Sequence, residues 1–220
     1  MVNNCYEFCQ ITSADEVMKQ AICMALNLNY SPTADNTVHT LNSSSAAALA
    51  TEIKNRTGVS TDIIVIPIAG DGNCLFRALS QAVTGSQDQH ALIRSYVVNH
   101  MMDDSMRDHM QCLFQRNRNT GSVPLADYHN YLVEMQKPGT WGTDQEIVAA
   151  AHLLNCSILC LSRYGTSNRY CLQHIPPHFA EMSSCNMQCR HESMYLINSS
   201  GTHYETAVVK RQETPISNEQ

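Results

Sequence analysis

Apolar positions change their period along this chain. Up to about residue 154 they recur mostly every three or four residues; beyond it they come in short extended runs. Val17, Ile22, Ala25 and Leu28 share a helical spacing, which predicts a helix over residues 15–28 with Ser13 as its N-cap. The polar stretch 29–40 breaks that pattern. An alanine-rich second helix is predicted over residues 45–55, with Gly58 as its stop signal. Residues 63–69, IIVIPIA, read as an extended run, and Pro67 argues against a central strand because it has no N–H to give a neighbour. After the turn Gly70-Asp71-Gly72-Asn73, the positions Leu75, Phe76, Leu79, Ala82 and Val83 describe an amphipathic helix starting near Cys74.

Ile93, Tyr96, Val97, His100 and Met101 predict a further helix, followed by a polar loop over residues 115–122. Tyr128, Leu132 and Met135 share the face of the next helix, and Lys137-Pro138-Gly139 ends it. Thr143 and Glu146 have the spacing of a capping box, in which each side chain satisfies the other residue's backbone N–H. The helix they open, residues 147–154, is apolar on most sides and so reads as central. Strands are predicted over residues 157–161, 169–174, 194–198 and 205–209, with a polar, frayed tail from Lys210. Helices first and strands later indicate an α+β fold, a small sheet flanked by helices. The organisation expected is a helical N-terminal extension over residues 1–60, a main domain over 61–210 and a polar tail over 211–220.

Composition narrows the function classes. The chain has 220 residues, 43% of them hydrophobic and 15% charged, too apolar for a disordered chain. Its formal net charge is −6 and no Lys/Arg cluster stands out, so no nucleic-acid partner is expected. No apolar run approaches the ~20 residues of a membrane-spanning helix, and the opening MVNNCYEFCQ lacks a signal-peptide pattern. A soluble, cytoplasmic chain without a membrane partner is expected, with the nucleus also open to it. The ten cysteines include no CxxC pair and read as reduced thiols. His174, His178, Cys185, Cys189 and His191 are zinc-ligand types in a short stretch. Pro176 and Pro177 interrupt the first pair, however, and the order is reversed from a common finger. The stretch is read as an insertion, and no metal or cofactor is expected.

Cys74 stands out for chemistry. At a helix N-terminus, unpaired N–H groups and the helix dipole favour a thiolate and can also stabilise an oxyanion. Gly72 permits the tight turn before it. Position alone leaves two readings, a nucleophile or a buried thiol at a helix start. A cysteine nucleophile needs a base, and His203 lies in Gly201-Thr202-His203-Tyr204-Glu205, a turn between two apolar runs. In an extended stretch Glu205 would project to the same side as His203 and could fix its tautomer. A surface histidine at a strand edge is the alternative.

The segment Asp71-Gly72-Asn73-Cys74-Leu75-Phe76-Arg77-Ala78 resembles the nucleophile motif of the OTU (ovarian-tumour) family of cysteine deubiquitinases. Tyr131-Leu132, Met135 and Lys137-Pro138-Gly139-Thr140-Trp141-Gly142, with Glu146 and Ala149, resemble that family's middle block. Tyr195-Leu196 and Gly201-Thr202-His203-Tyr204-Glu205 resemble its histidine block, and the three blocks occur in family order. The resemblance implies a papain-related cysteine protease fold with a small, mostly antiparallel sheet. It also implies an isopeptidase that releases ubiquitin or trims polyubiquitin. In that reading Cys74 is the nucleophile, His203 the base and acid, and Glu205 the orienting carboxylate, with Asp71 as a substitute for it. Backbone N–H groups from Asp71 to Cys74, including Gly72 and Asn73, form the oxyanion hole. Asn73 reads first as a turn former. Trp141 reads as core packing or as part of the substrate groove, where Tyr204 is also a candidate. The family more often has Asp or Asn where this chain has Glu205. The alternatives are a binding module with little or no turnover, or a protease for a ubiquitin-like modifier.

Overall fold

The computed structural model describes residues 12–13, 15–31, 44–117, 125–163, 170–178, 192–198 and 200–211. The described chain runs β1 (Thr12–Ser13), α1 (Glu16–Ala25), α2 (Ser44–Thr57), β2 (Thr61–Ile66), α3 (Cys74–Thr84), α4 (His90–Met102) and α5 (Asp104–Asn117). It continues through α6 (Leu125–Met135), α7 (Asp144–Leu154), β3 (Ser157–Arg163), β4 (Tyr170–Ile175), β5 (Glu192–Asn198) and β6 (Glu205–Arg211).

The strands form one sheet in the order β2-β6-β5-β3-β4, with β1 added beside the start of β5. Its pairs are antiparallel except β3–β5 and β1–β5. β2 is an edge strand and stops at Ile66, as a following proline requires.

Both faces of the sheet are covered, which explains why the strands read as near-continuous apolar runs. Alternate residues serve opposite layers. Ile158, Cys160, Met194 and Leu196 join the cluster built with α3, α4 and α7. Leu159, Leu161, Tyr195 and Ile197 join Leu49 and Ile53 of α2 on the other face. Leu49 is fully buried there, and its truncation to alanine would cost about 2–5 kcal/mol. On the helical side, α1 packs against α3 through Ile22 and Cys23. Both helices that precede residue 60 thus bury apolar side chains in the same fold. α7 is buried along most of its circumference, as expected of a central helix.

Some boundaries differ from the expectation. The cap of α1 is Asp15, whose Oδ1 accepts from the Met18 N–H at 2.8 Å, rather than Ser13. The helix ends at Ala25, where the chain turns through Asn27 at φ 52°. The sheet extends past residue 209: Lys210 and Arg211 are in register with Asp62 and Thr61, so the chain does not fray at Lys210. α5 was not expected at all. Its buried Met106, Met110 and Phe114 recur every fourth residue within a charged, methionine-rich segment.

Candidate active site

The nucleophile turn is shaped by its own side chains. The Asp71 carboxylate accepts from the Asn73 N–H at 3.0 Å and takes a bidentate fork from Arg77, with Nη2 to Oδ2 at 2.6 Å. The Arg77 guanidinium holds the Asp71 carboxyl well below the usual carboxylate range. Both oxygens of Asp71 are therefore engaged in the turn. Gln87 braces the approach from β2: its Oε1 accepts from the Ala69 N–H at 3.1 Å, and its Nε2 donates to the Pro67 carbonyl at 3.0 Å. Gly72 sits at φ +83°, and a Cβ there would lie 2.5 Å from the Gly139 carbonyl oxygen. Glycine is required both by that conformation and by the close approach of the two loops.

α3 opens with Cys74, which is 7% exposed. Asn73 occupies the N-cap position, but its side chain makes no cap hydrogen bond to the helix. Its Oδ1 instead accepts from the Gly139 N–H at 2.8 Å and from Arg94 Nη2 at 2.9 Å. Asn73 is thus more than a turn former: it joins the nucleophile turn to the 135–140 loop. The protein does not cap the start of α3 through that side chain, and this is the condition under which helix N–H groups serve a thiolate or an oxyanion.

Cys74 lines an open cleft of about 300 Å³. One wall is the run Trp141, Gly142, Thr143 and Asp144; the other is Asn198 with Gly201, Thr202 and Tyr204. Trp141 is 60% exposed, so the core-packing reading of this residue is replaced by a place at the cleft. Behind the first wall, the expected capping box is present. Glu146 Oε2 accepts from the Thr143 N–H at 2.7 Å, and its Oε1 accepts from the Tyr131 hydroxyl at 2.5 Å. Burial pushes both the Glu146 carboxyl and the Tyr131 hydroxyl up. Gly142 packs so tightly on α3 that a Cβ there would lie 2.5 Å from Leu75 Cδ2.

His203 lies in the turn between β5 and β6, half-buried, flanked by cleft residues. Its ring stands beside the nucleophile turn: a Cβ at Gly70 would come within 3.9 Å of both Nδ1 and Cε1. Tyr204 is buried behind it, which raises its hydroxyl pKa. Glu205 opens β6 opposite Ile197 and, among the described residues, makes no ion pair with His203. Asn198 was not expected at the cleft; its Oδ1 is buried without a hydrogen-bond partner among the described residues. Of the suggested zinc-ligand types, His174 Nε2 lies 3.0 Å from Ser157 Oγ within the sheet, while Cys185, Cys189 and His191 lie outside the described residues. Among the described residues, no three acidic, cysteine or histidine side chains are placed to hold a metal ion, and no helix is long and apolar enough to cross a membrane.

A cysteine at an open helix N-terminus, with a histidine turn bordering its cleft, is the layout of a thiol protease. The family model for OTU-like cysteine proteases matches residues 69–204, more than half of the chain, and the chain belongs to that family. It is 34% identical over 112 residues to OVARIAN TUMOR DOMAIN-containing deubiquitinating enzyme 9 of Arabidopsis thaliana, covering 51% of this chain and 28% of that protein. It is 31% identical over 103 residues to deubiquitinating enzyme 10 of the same series and organism, covering 47% and 26%. The matched region thus spans about a quarter of the length of these relatives. Among solved structures, the OTU domain of OTUD1 superimposes with a TM-score of 0.51 at 20% identity, covering 74% of this chain and 94% of that one, which shows a shared fold.

Proposed function

We propose that this chain is a cysteine-dependent deubiquitinase acting on the isopeptide bond between the ubiquitin C-terminus and a lysine. The observation that carries the reading is the position of Cys74, at the uncapped start of α3 and in the wall of the cleft that the His203 turn borders. The matched relatives bear the name deubiquitinating enzyme, in keeping with that chemistry.

In this reading the reaction runs through a thioester. His203 takes the Cys74 proton, and Sγ attacks the carbonyl carbon of the ubiquitin C-terminal glycine. The backbone N–H groups from Asp71 to Cys74 receive the oxyanion. His203 returns its proton to the lysine amine, which leaves. A water, activated by the now neutral imidazole, hydrolyses the thioester and restores the thiol. Glu205, two residues after His203, is assigned to the imidazolium as its orienting carboxylate although the two are not paired among the described residues, because Asp71 is already committed to Arg77 and Asn73. Trp141 and Tyr204 are assigned to the groove for the ubiquitin tail. Gly72 and Asn73 keep the turn open.

Cleavage of isopeptide-linked diubiquitin by the wild type and by Cys74→Ala tests the reading. Loss of cleavage with ubiquitin binding retained is expected. Cleavage that survives in Cys74→Ala would remove Cys74 as the nucleophile.

A further inference from the structure

Arg94 lies on α4, away from the cleft, and is 3% exposed. Its Nη1 donates to the Met135 carbonyl at 2.8 Å, and its Nη2 donates to the Thr140 carbonyl and to Asn73 Oδ1, both at 2.9 Å. The guanidinium also sits 4.0 Å from the centroid of the Phe76 ring, two residues beyond Cys74. All of these partners are neutral. A buried cation without a contacting carboxylate is unfavourable, so its retention here needs a reason.

The reason lies in what its partners do. An asparagine at an N-cap ordinarily turns its side-chain oxygen onto the N–H groups of its own helix. Asn73 does not, because the Gly139 N–H and Arg94 Nη2 already occupy the two acceptor positions of its Oδ1. The helix N–H groups at Cys74 are thereby left uncapped. The acidic groups whose fields reach Arg94 are Glu146, Asp71 and Cys74. Asp71 is paired with Arg77, and Glu146 is hydrogen-bonded to Tyr131 and Thr143. Cys74 is the remaining acidic group of the three.

We propose that Arg94 is a positioning residue for Cys74: it draws the Asn73 side chain off the start of α3, leaving the helix N–H groups open toward the cleft, and sets a positive charge behind the thiol. This rests on the reading of Cys74 as the nucleophile. It assigns to α4 a role in the reaction although α4 contributes no wall to the cleft.

The test is the pH profile of Cys74 alkylation by iodoacetamide, followed on the Cys74 peptide by mass spectrometry, for the wild type, Arg94→Met and Asn73→Ser. Serine can cap α3 but is too short to reach Gly139 and Arg94 together. Both variants are expected to move the midpoint of Cys74 alkylation up from the wild-type value by roughly one pH unit. Asn73→Ser decides the matter should Arg94→Met fail to fold. An activated wild type with an unchanged midpoint in the folded variants overturns the role of Arg94 alone. A wild-type Cys74 that titrates as an ordinary thiol overturns the nucleophile reading and this inference with it.

Discussion

The Thr206 hydroxyl donates to the Ala78 carbonyl at 3.1 Å, joining the strand that follows His203 to the helix that Cys74 opens. Thr206 is 1% exposed and also lies within 3.5 Å of the Tyr195 carbonyl on β5. The bond crosses between the sheet and the helical layer, so it bears on the spacing of the two reacting groups. Thr206→Val keeps the shape and removes the donor. Because the Ala78 carbonyl lies inside a helix, it keeps its own helical partner, and the expected loss is about 1 kcal/mol in urea unfolding. Reaction with a ubiquitin probe is expected to slow several-fold. A variant with wild-type stability and rate would show that the bond does not set the spacing.

Trp141 separates recognition from folding. A tryptophan in the core would cost about 3–5 kcal/mol on truncation, but this one is 60% exposed at the cleft. Trp141→Ala is expected to leave the thermal midpoint nearly unchanged and to raise KM for ubiquitin substrates. A large drop in the thermal midpoint would return Trp141 to a packing role.

How much of this was legible in the sequence depended on the range of the interactions. The Thr143–Glu146 box could be read because both partners lie within one helical turn, and its geometry is present. The partner that completes it, Tyr131, could not be read, because it comes from α6. The cap on α1 was placed two residues early because Ser13 and Asp15 are both good cap types, and only the backbone decides between them. α5 escaped because its buried Met106, Met110 and Phe114 lie in a segment that is strongly polar on average. Local turn chemistry left Cys74 and His203 with two readings each, and only the resemblance to the OTU blocks chose between them. The link from Asn73 to Arg94 was not legible, because it spans 21 residues and depends on α4 packing beside α3.

The acid is tested by comparing two carboxylates. Glu205→Gln removes the charge assigned to the imidazolium and is expected to lower kcat by roughly tenfold or more, with little change in stability. Asp71→Asn weakens the Arg77 fork and the turn, so its effect is expected mainly as a lower thermal midpoint. A larger kcat loss in Asp71→Asn than in Glu205→Gln would reverse the two roles.

A histidine pair at the far end of α7 sets an expectation for pH. His100 Nε2 and His152 Nδ1 are 2.9 Å apart, and His100 Nδ1 lies 3.2 Å from Asp103 Oδ2. Burial first, then the fields of His100, His178 and His109, holds His152 below its ordinary 6.5. The unfolded chain therefore takes up this proton at a higher pH than the folded one. Proton uptake favours unfolding, so stability falls as pH drops through 6.5 and this contribution levels off below the folded value. Urea midpoints between about pH 8 and pH 5 should decline in the wild type and flatten in this range in His152→Gln. An unaltered slope in that variant would assign the acid sensitivity to other groups.

The central claim is that Cys74 is an activated nucleophile in a site shaped for a ubiquitin tail. Intact mass after incubation with ubiquitin bearing a C-terminal electrophile tests it most directly, on the wild type and on Cys74→Ala. One ubiquitin adduct on the wild type, mapped to Cys74 and missing from the variant, is the predicted result. An adduct on both proteins, or on neither, would contradict the claim.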